Sequence, residues 1–190
     1  MKPNHPLIHG DVSLRAVRRW DAFMLQYLLE SDREWLEPWE ATAPGIKSLI
    51  NARWIVSTLI SQARRNTGIG FVILYKGQIV GQLNVANMLF GSVSSATIGY
   101  WISSRFAGKG ITPTAVALAI DYLFDEVQLH RVEIDIRPEN EASLRVVEKL
   151  KLRKEGTKER FIHIDGAWRD HHIFAITREE KNGSMLSRLG

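Results

Sequence analysis

The stretch with the most chemical content begins at residue 98. Residues 98–102 read Ile-Gly-Tyr-Trp-Ile, a pattern typical of a strand, and residues 105–110 read Arg-Phe-Ala-Gly-Lys-Gly. Thr112, followed by proline, is typical of a helix start, with Thr112 as the cap. Backbone N–H groups that converge at such a start bind phosphate. Arg105 and Lys109 would supply the charge to hold a diphosphate there.

The spacing of the glycines excludes two common phosphate-binding motifs. Gly108 and Gly110 let the backbone approach a ligand closely and adopt positive φ. No Gly-Lys-Ser/Thr follows, so this is not a Walker loop, and the three-glycine Rossmann spacing is absent as well. The alternative is a glycine-rich loop that only begins a helix. The preceding strand, the basic residues and the following helix favour the anion site.

A second polar pair lies further along the chain. Asn140 and Ser143 are three residues apart, so both fall in the first turn of one predicted helix. One interpretation is a ligand-binding amide beside a hydroxyl that can donate a proton. The other is local capping, in which Asn140 satisfies free N–H groups and Ser143 is incidental. For Asn140 both roles are compatible.

The elements that must position these residues are readable from periodicity. Alternation predicts a strand at 12–17, and apolar spacing predicts a helix that Asp21 caps and that ends before Pro38. A second helical stripe follows, made of Leu49, Ile50, Trp54, Ile55, Leu59, Ile60 and Ala63. Strands are then predicted at 70–75, 78–85, 94–102 and 131–136, with helices beginning at Thr112 and Asn140. Two final strands meet at Asp165-Gly166, a hairpin signal.

This order predicts an α+β domain with a central mixed, mostly antiparallel sheet flanked by helices and containing one parallel crossover. We expect one domain over 10–178 and a flexible tail at 181–190. The net charge of +4 is too weak, and Lys and Arg too dispersed, to indicate a nucleic-acid arm. With no cysteine, no signal peptide and no apolar run long enough to span a membrane, a cytoplasmic location is the expectation.

With these residues in view, the chain resembles the GNAT acetyltransferases. Their coenzyme A motif reads Arg/Gln-x-x-Gly-x-Gly/Ala between a strand and a helix. The flanking sequence is similar to the RimJ/RimL-type ribosomal-protein N-terminal acetyltransferases over roughly residues 10–178. The segments that carry this resemblance are Glu37-Pro38-Trp39-Glu40, residues 98–102, Asn140-x-x-Ser143, Glu155-Gly156 and Gly166-x-Trp168-x-Asp170.

The resemblance implies the fold of that family and acetyl-CoA as co-substrate, with no metal. Backbone groups near Tyr100, Trp101 and Ile102 would pair with the pantetheine arm, and an N–H there would polarise the thioester carbonyl. Asn140 would bind the pantetheine, and Ser143 would protonate the departing thiolate. The diphosphate would lie on the amides of Arg105, Phe106, Ala107, Gly108, Lys109 and Gly110, with Thr112 as a further hydroxyl contact or only a cap.

The general base is less well defined. The candidates are Glu37, Glu40, His163, Asp170, His171 and His172. The glutamate that some relatives use late in the chain is absent, because residues 160–163 read Arg-Phe-Ile-His. Glu40, within the Pro-Trp-Glu match, is our choice; the alternative is a solvated loop acid. His171 and His172 would point to opposite faces of a strand, which disfavours a metal site.

The candidates for a site that binds the amine acceptor are aromatic residues. Trp35 and Trp39, beside Glu34, Glu37 and Glu40, suit the wall of a groove for a cationic amine, or simply anchor an acidic surface loop. Trp101 is a further candidate for that wall, whereas Trp54, on a helical stripe, is expected in the core.

The resemblance implies that the acceptor is the N-terminal α-amine of a ribosomal protein. The alternatives are a small-molecule amine, namely a polyamine, an amino acid or an amine antibiotic, and a non-catalytic acetyl-CoA sensor. We expect no direct nucleic-acid or membrane partner and consider a homodimer.

Overall fold

The structure, a computed structural model, describes residues 2–45 and 50–190. Leu49, which the sequence places on a helical stripe, lies outside the described residues. The strands are β1 Leu7–His9, β2 Val12–Ala16, β3 Ile69–Tyr75, β4 Gln78–Leu89, β5 Ser95–Ile102, β6 Arg131–Ile136, β7 Arg153–Ile164 and β8 Ala167–Thr177. The α-helices of the described chain are α1 Asp21–Ser31, α2 Arg33–Leu36, α3 Ala52–Arg64, α4 Ile111–Asp125 and α5 Glu141–Lys149. Short 3₁₀ turns occupy Glu37–Trp39, Ser104–Phe106, Arg178–Glu180 and Met185–Leu189.

The eight strands form one sheet in the order β1-β2-β3-β4-β5-β6-β8-β7. Every neighbouring pair is antiparallel except β5 and β6, which are parallel and are connected through α4. This confirms the mixed, mostly antiparallel sheet with one parallel crossover. The predicted hairpin turns are also present, since Lys76, Gly77, Asp165 and Gly166 all have positive φ.

Helices cover both faces of the sheet. Phe71 belongs to the larger core, which contains most of the apolar residues of α4 together with Val146 and Val147 of α5. The next residue, Val72, faces the smaller core with Leu25 of α1. Successive strand residues point to opposite faces, so alternation in β3 separates the two cores. On one face α4 and α5 begin at the predicted site residues, and on the other α1 leads into the segment 32–40.

The N-terminus of α1 differs from the prediction. Asp21 is the first helical residue rather than the cap, and its side chain bonds no amide of the helix. Instead its two carboxylate oxygens each accept a hydrogen bond at 2.7 Å from the guanidinium of Arg15 on β2, and Oδ2 also accepts one from the N–H of Arg18. Asp21 is 2% exposed, so this buried pair fixes the start of α1 against the sheet.

The C-terminal segment 181–190 also differs from the prediction of a flexible tail. Its Met185–Leu189 turn packs on α4, with Met185 fully buried in the larger core. The N–H of Met185 donates to the carboxylate of Asp121, at 2.9 Å to Oδ1. Arg188 adds hydrogen bonds to the carbonyls of Leu150 and Glu180, and Lys181 forms a salt bridge with Asp121. Most of these partners are distant in the chain, so a local sequence pattern does not reveal that the segment is held.

Candidate functional site

A gap opens in the middle of the sheet between β5 and β6. The two strands pair only from Ser95 to Thr97 against Arg131–Glu133. Beyond this point residues Ile98–Ile102 of β5 pair with no described strand on that side. In the same region the N–H of Ser103 donates to Val80 on β4 at 2.8 Å. Because the backbone groups of alternate residues face alternate neighbours, those of Tyr100 and Ile102 face the gap. The unpaired β5 edge is therefore able to bond an extended ligand that carries amides.

The basic turn lies at the carboxyl end of this edge. Gly108 and Gly110 both have φ of +76°, a conformation that favours glycine. Gly110 is the N-cap of the fifteen-residue α4, so the first amides of that helix are directed at the turn. Arg105 and Lys109 are exposed and form no salt bridge within the described residues, although Lys109 Nζ lies 5.2 Å from the ring centre of Phe106. The N–H groups of Phe106 and Ala107, which the sequence assigned to a diphosphate, instead bond the carbonyls of Ser103 and Ser104 at 2.9 and 3.2 Å. The turn therefore presents exposed positive charge beside its glycines and the start of α4.

The prediction that Thr112 caps α4 is wrong. The helix begins at Ile111, with Gly110 at the cap, so Thr112 lies one residue inside the helix. The left-handed conformation of Gly110 starts the helix earlier than the threonine-proline signal indicated. The pattern nevertheless located the helix start to within two residues.

On the other side of the gap, Asn140 caps α5 as predicted. Its Oδ1 accepts a hydrogen bond from the N–H of Ser143 at 3.1 Å. Ser143 is half-buried, and its side chain interacts with the hydroxyl of Tyr100. The hydroxyl of Tyr100 donates to the backbone carbonyl of Ser143 at 3.4 Å, which connects β5 to α5 beneath the gap. Burial raises the pKa of Tyr100 well above its ordinary value, so this hydroxyl stays neutral.

A buried carboxylate joins the basic turn to the end of α1. Asp32 is 7% exposed, and its Oδ1 accepts from the N–H of Ser104 at 3.2 Å and also from the Ser104 hydroxyl. Burial alone would raise the pKa of Asp32. The hydroxyls of Ser103 and Ser104, the Ser104 amide and the charge of Arg105 outweigh burial and hold that pKa below its usual range. Asp32 is thus an ionised anchor for the turn, and the sequence analysis did not select it.

The chain after Asp32 extends over the mouth of the gap. The indole Nε1 of Trp35 donates to the carbonyl of Ile102 at 3.1 Å. Further along, Arg137 at the end of β6 donates to the carbonyl of Pro38 at 2.6 Å, and its guanidinium lies 5.3 Å from the ring centre of Trp39. The 32–40 segment is therefore tied to both sides of the gap. Arg137 carried no sequence signal beyond its position at the end of a strand.

The tryptophan predictions have mixed outcomes. Trp35 and Trp39 lie in the segment above the gap, as described. Trp101 is half-buried against the smaller core. The prediction that Trp54 belongs to the core is wrong, because it is 66% exposed. The buried side of α3 is formed by Ala52, Val56 and Leu59, and Trp54 lies on the opposite side of the helix.

The two glutamate candidates for a base share one partner. Arg33 lies 2.6 Å from Glu40 and 3.6 Å from Glu37, measured from guanidinium nitrogen to carboxylate oxygen. Glu40 is the better enclosed, with a side chain 27% exposed against 60% for Glu37. Next to Glu40, Ala41 forms a β-bridge with Ile164, which fixes this part of the loop against the β7–β8 hairpin.

The remaining base candidates are all on or beside that hairpin. Asp170 accepts the N–H of Arg160 at 2.7 Å within a bulge of β7, which is a structural role. His163 and His172 each bond a threonine hydroxyl through Nδ1 at 2.9 Å. His171 is 3% exposed with Nδ1 3.0 Å from the carbonyl of Arg169; burial, the largest influence, lowers its pKa, so it is neutral near pH 7. The described residues contain no cluster of three metal-ligating side chains.

Comparison with known proteins agrees with this architecture. The sequence profile of the acetyltransferase (GNAT) domain matches residues 11–153. The structure of Mycobacterium smegmatis RimJ in complex with CoA-disulfide superimposes with a TM-score of 0.90 and 40% identity, covering 97% of this chain and 91% of that one. The [ribosomal protein uS5]-alanine N-acetyltransferase of Escherichia coli is 28% identical over 167 residues, 86% of either chain. A probable N-acetyltransferase of Bacillus subtilis, YjcK, is 38% identical over 99 residues, 52% of this chain and 55% of that protein.

The chain belongs to the GNAT family of N-acetyltransferases and, by these relatives, to its RimJ/RimL-type branch. Within the part of the chain that the structure describes, no helix is both long and apolar enough to cross a membrane.

Proposed function

We propose that this protein transfers the acetyl group of acetyl-CoA to the N-terminal α-amine of a ribosomal protein. The observation that carries the donor half is the β5–β6 gap, which has the basic turn at one side of its mouth and Ser143 at the other. The acceptor half rests on the ribosomal-protein acetyltransferases among the relatives.

The residues around the gap fit the donor. Pantetheine carries two amides, and the backbone groups of Tyr100 and the N–H of Ile102, with Trp101 between them, offer a strand edge for it. The diphosphate suits the turn from Arg105 to Gly110. Within that turn the N–H groups of Phe106 and Ala107 already bond the carbonyls of Ser103 and Ser104, so the contacts fall to Gly108, Lys109 and Gly110 and to the charge of Arg105. No atom lies within 4 Å of the point where a Cβ would stand on Gly108 or Gly110, so both face open space. Asn140 is proposed to bind the pantetheine and Thr112 to add a hydroxyl contact.

The proposed reaction needs no covalent enzyme intermediate. The neutral amine attacks the thioester carbonyl carbon, a C–N bond forms, and the C–S bond breaks. A backbone N–H of β5 polarises the carbonyl oxygen, which gains negative charge as the amine adds. Ser143 donates a proton to the leaving thiolate and regains one from solvent. The proton of the amine passes through water to Glu40, our proposed base, which then releases it to solvent. The salt bridge with Arg33 orients that carboxylate.

The experiment is a coenzyme A release assay that compares peptides with the N-terminal sequences of ribosomal proteins against polyamines, amino acids and amine antibiotics. We expect release with a subset of the peptides, and mass spectrometry should locate the acetyl group on the α-amine. The matched control is the same peptide with a blocked N-terminus and its lysines intact. Activity on small amines alone would overturn the proposed acceptor, and tight acetyl-CoA binding without release for any amine would favour a sensor.

A further inference from the structure

Helix α1 has two apolar sides, and only one is used by the fold. Leu25 and Leu29 face the smaller core and are at most 4% exposed. The opposite side, here called the outer stripe, consists of Trp20, Phe23, Met24 and Tyr27, which are 70%, 83%, 40% and 50% exposed. Their spacing of three, one and three residues places all four on one line along the helix.

The outer stripe is large enough to be an interface. At about 150–250 Å² per fully buried aromatic side chain, the exposed fractions leave roughly 500 Å² of apolar surface on these residues. A stable interface covers about 800 Å² per partner, so the stripe would supply more than half of one side.

Charged residues of opposite sign lie at the two ends of the outer stripe, so two copies of the stripe can pair with each other. Arg18 and Arg19 precede the stripe, and Glu30 and Glu34 follow it; all four are exposed. The turn that contains the two arginines leads directly into α1, because the N–H groups of Asp21 and Ala22 bond their carbonyls. Glu30 follows Arg19 by eleven residues, about three helical turns. Arg19 and Glu30 therefore lie along the same edge of the stripe, at opposite ends.

We propose that the outer stripe binds the outer stripe of a second copy of this chain, with the two α1 helices antiparallel about a two-fold axis near Phe23 and Met24. A two-fold axis that makes two facing helices antiparallel exchanges their ends and keeps their edges together. Arg19 of each copy then lies next to Glu30 of the other, so the interface contains two such ion pairs. A parallel arrangement about a two-fold axis would keep the ends together but exchange the edges, so that neither Arg19–Glu30 pair could form.

The test measures the mass in solution by light scattering over a range of concentrations. The wild type is expected at twice the 21.6 kDa of one chain. Phe23→Glu places two like charges beside the axis and should yield monomers. Phe90→Glu, at a 47% exposed aromatic of the β4–β5 hairpin, is the matched control and should remain dimeric. Because Phe23 is 83% exposed, its replacement should leave the circular dichroism spectrum unchanged.

Exchanging the two charges tests the antiparallel arrangement and shows whether the partner is a second copy of this chain. Arg19→Glu and Glu30→Arg should each raise the dimer dissociation constant at least tenfold, and the double variant should restore it, because both partners of each pair change sign together. Only self-association predicts this rescue. A monomeric wild type at every concentration, a dimeric Phe23→Glu, or a double variant no tighter than the single ones would each overturn the proposal.

Discussion

The indole nitrogen of Trp35 donates a hydrogen bond to the carbonyl of Ile102, the last residue of the unpaired β5 edge, at 3.1 Å. A residue of α2 thus occupies the last carbonyl of the edge, and the backbone groups of Tyr100 still face the gap. This contact links the proposed acceptor side of the site to the proposed donor side.

Trp35→Phe should weaken this link. A neutral hydrogen bond contributes about 1 kcal/mol, so we expect a roughly fivefold fall in kcat/KM. We expect this fall to come mainly from a higher KM for the acceptor, because the segment that carries Trp35 would lose one of the hydrogen bonds that hold it in place. Steady-state kinetics with both substrates varied will measure it. Trp54→Phe, at a tryptophan on the outer side of α3, is the control and should behave as wild type; equal effects of the two variants would contradict the assigned role.

Ser143→Ala tests the proposed proton donor. Positioned acids contribute about 10²–10⁴-fold, but a thiolate is already an adequate leaving group, so we expect kcat to fall about tenfold to a hundredfold without complete loss. KM for acetyl-CoA should change little. Pre-steady-state and steady-state coenzyme A release will separate the chemical step from binding. Full kcat in this variant would show that Ser143 is not the acid.

Tyr100→Phe complements that experiment, because it removes the hydroxyl that bonds the Ser143 carbonyl and keeps the ring. Burial raises the pKa of Tyr100, so its hydroxyl does not ionise below its usual value near pH 10. The variant should therefore keep the wild-type pH profile of kcat. A lost or shifted alkaline limb would instead identify Tyr100 as a titrating participant.

The parts of the fold that local patterns specify were predicted well. The alternation at 131–136 matches β6 at both ends, and Asn140 caps α5 because its amide bonds the N–H three residues on. Both turns with positive φ, Lys76-Gly77 and Asp165-Gly166, were recognised from composition. Each of these features depends on interactions within a few residues, which a sequence pattern records directly.

What was missed depends on contacts between distant residues. Arg137 and Pro38 are 99 residues apart in the chain, and Asp32 and Ser104 are 72 apart, so no local pattern connects them. Trp54 was misplaced because hydrophobicity alone was used to choose the buried side of α3. That side is in fact marked by the small residue Ala52, which is 1% exposed. The local elements around the β5–β6 gap were therefore predictable, whereas the segment above the gap required the structure.

Gly108→Val tests whether the basic turn holds the donor. Valine does not tolerate a φ of +76°, so the turn should change shape and its amides should no longer converge. We expect KM for acetyl-CoA to rise at least tenfold with a much smaller change in kcat. Gly91→Val is a matched control, because Gly91 has a φ of +84° in the β4–β5 hairpin and also faces open space. An unchanged KM in Gly108→Val would place the donor elsewhere.

Glu155→Gln should reveal a pH-dependent contribution to stability on the β7 edge. The guanidinium of Arg131, helped by that of Arg153, lowers the pKa of Glu155 to about 2, against an ordinary value near 4.5. A carboxylate with a lowered pKa stabilises the fold above its unfolded pKa, and this stabilisation is lost as the pH falls towards the folded pKa. Because the group is partly exposed, we expect only about 1–2 kcal/mol at pH 7. Urea unfolding at several pH values should show the wild type and Glu155→Gln differing above pH 4.5 and converging between about pH 4.5 and 2, whereas the exposed control Glu159→Gln should follow the wild type throughout. A difference that persists unchanged to pH 2 would mean that the ionised Glu155 carboxylate is not its source.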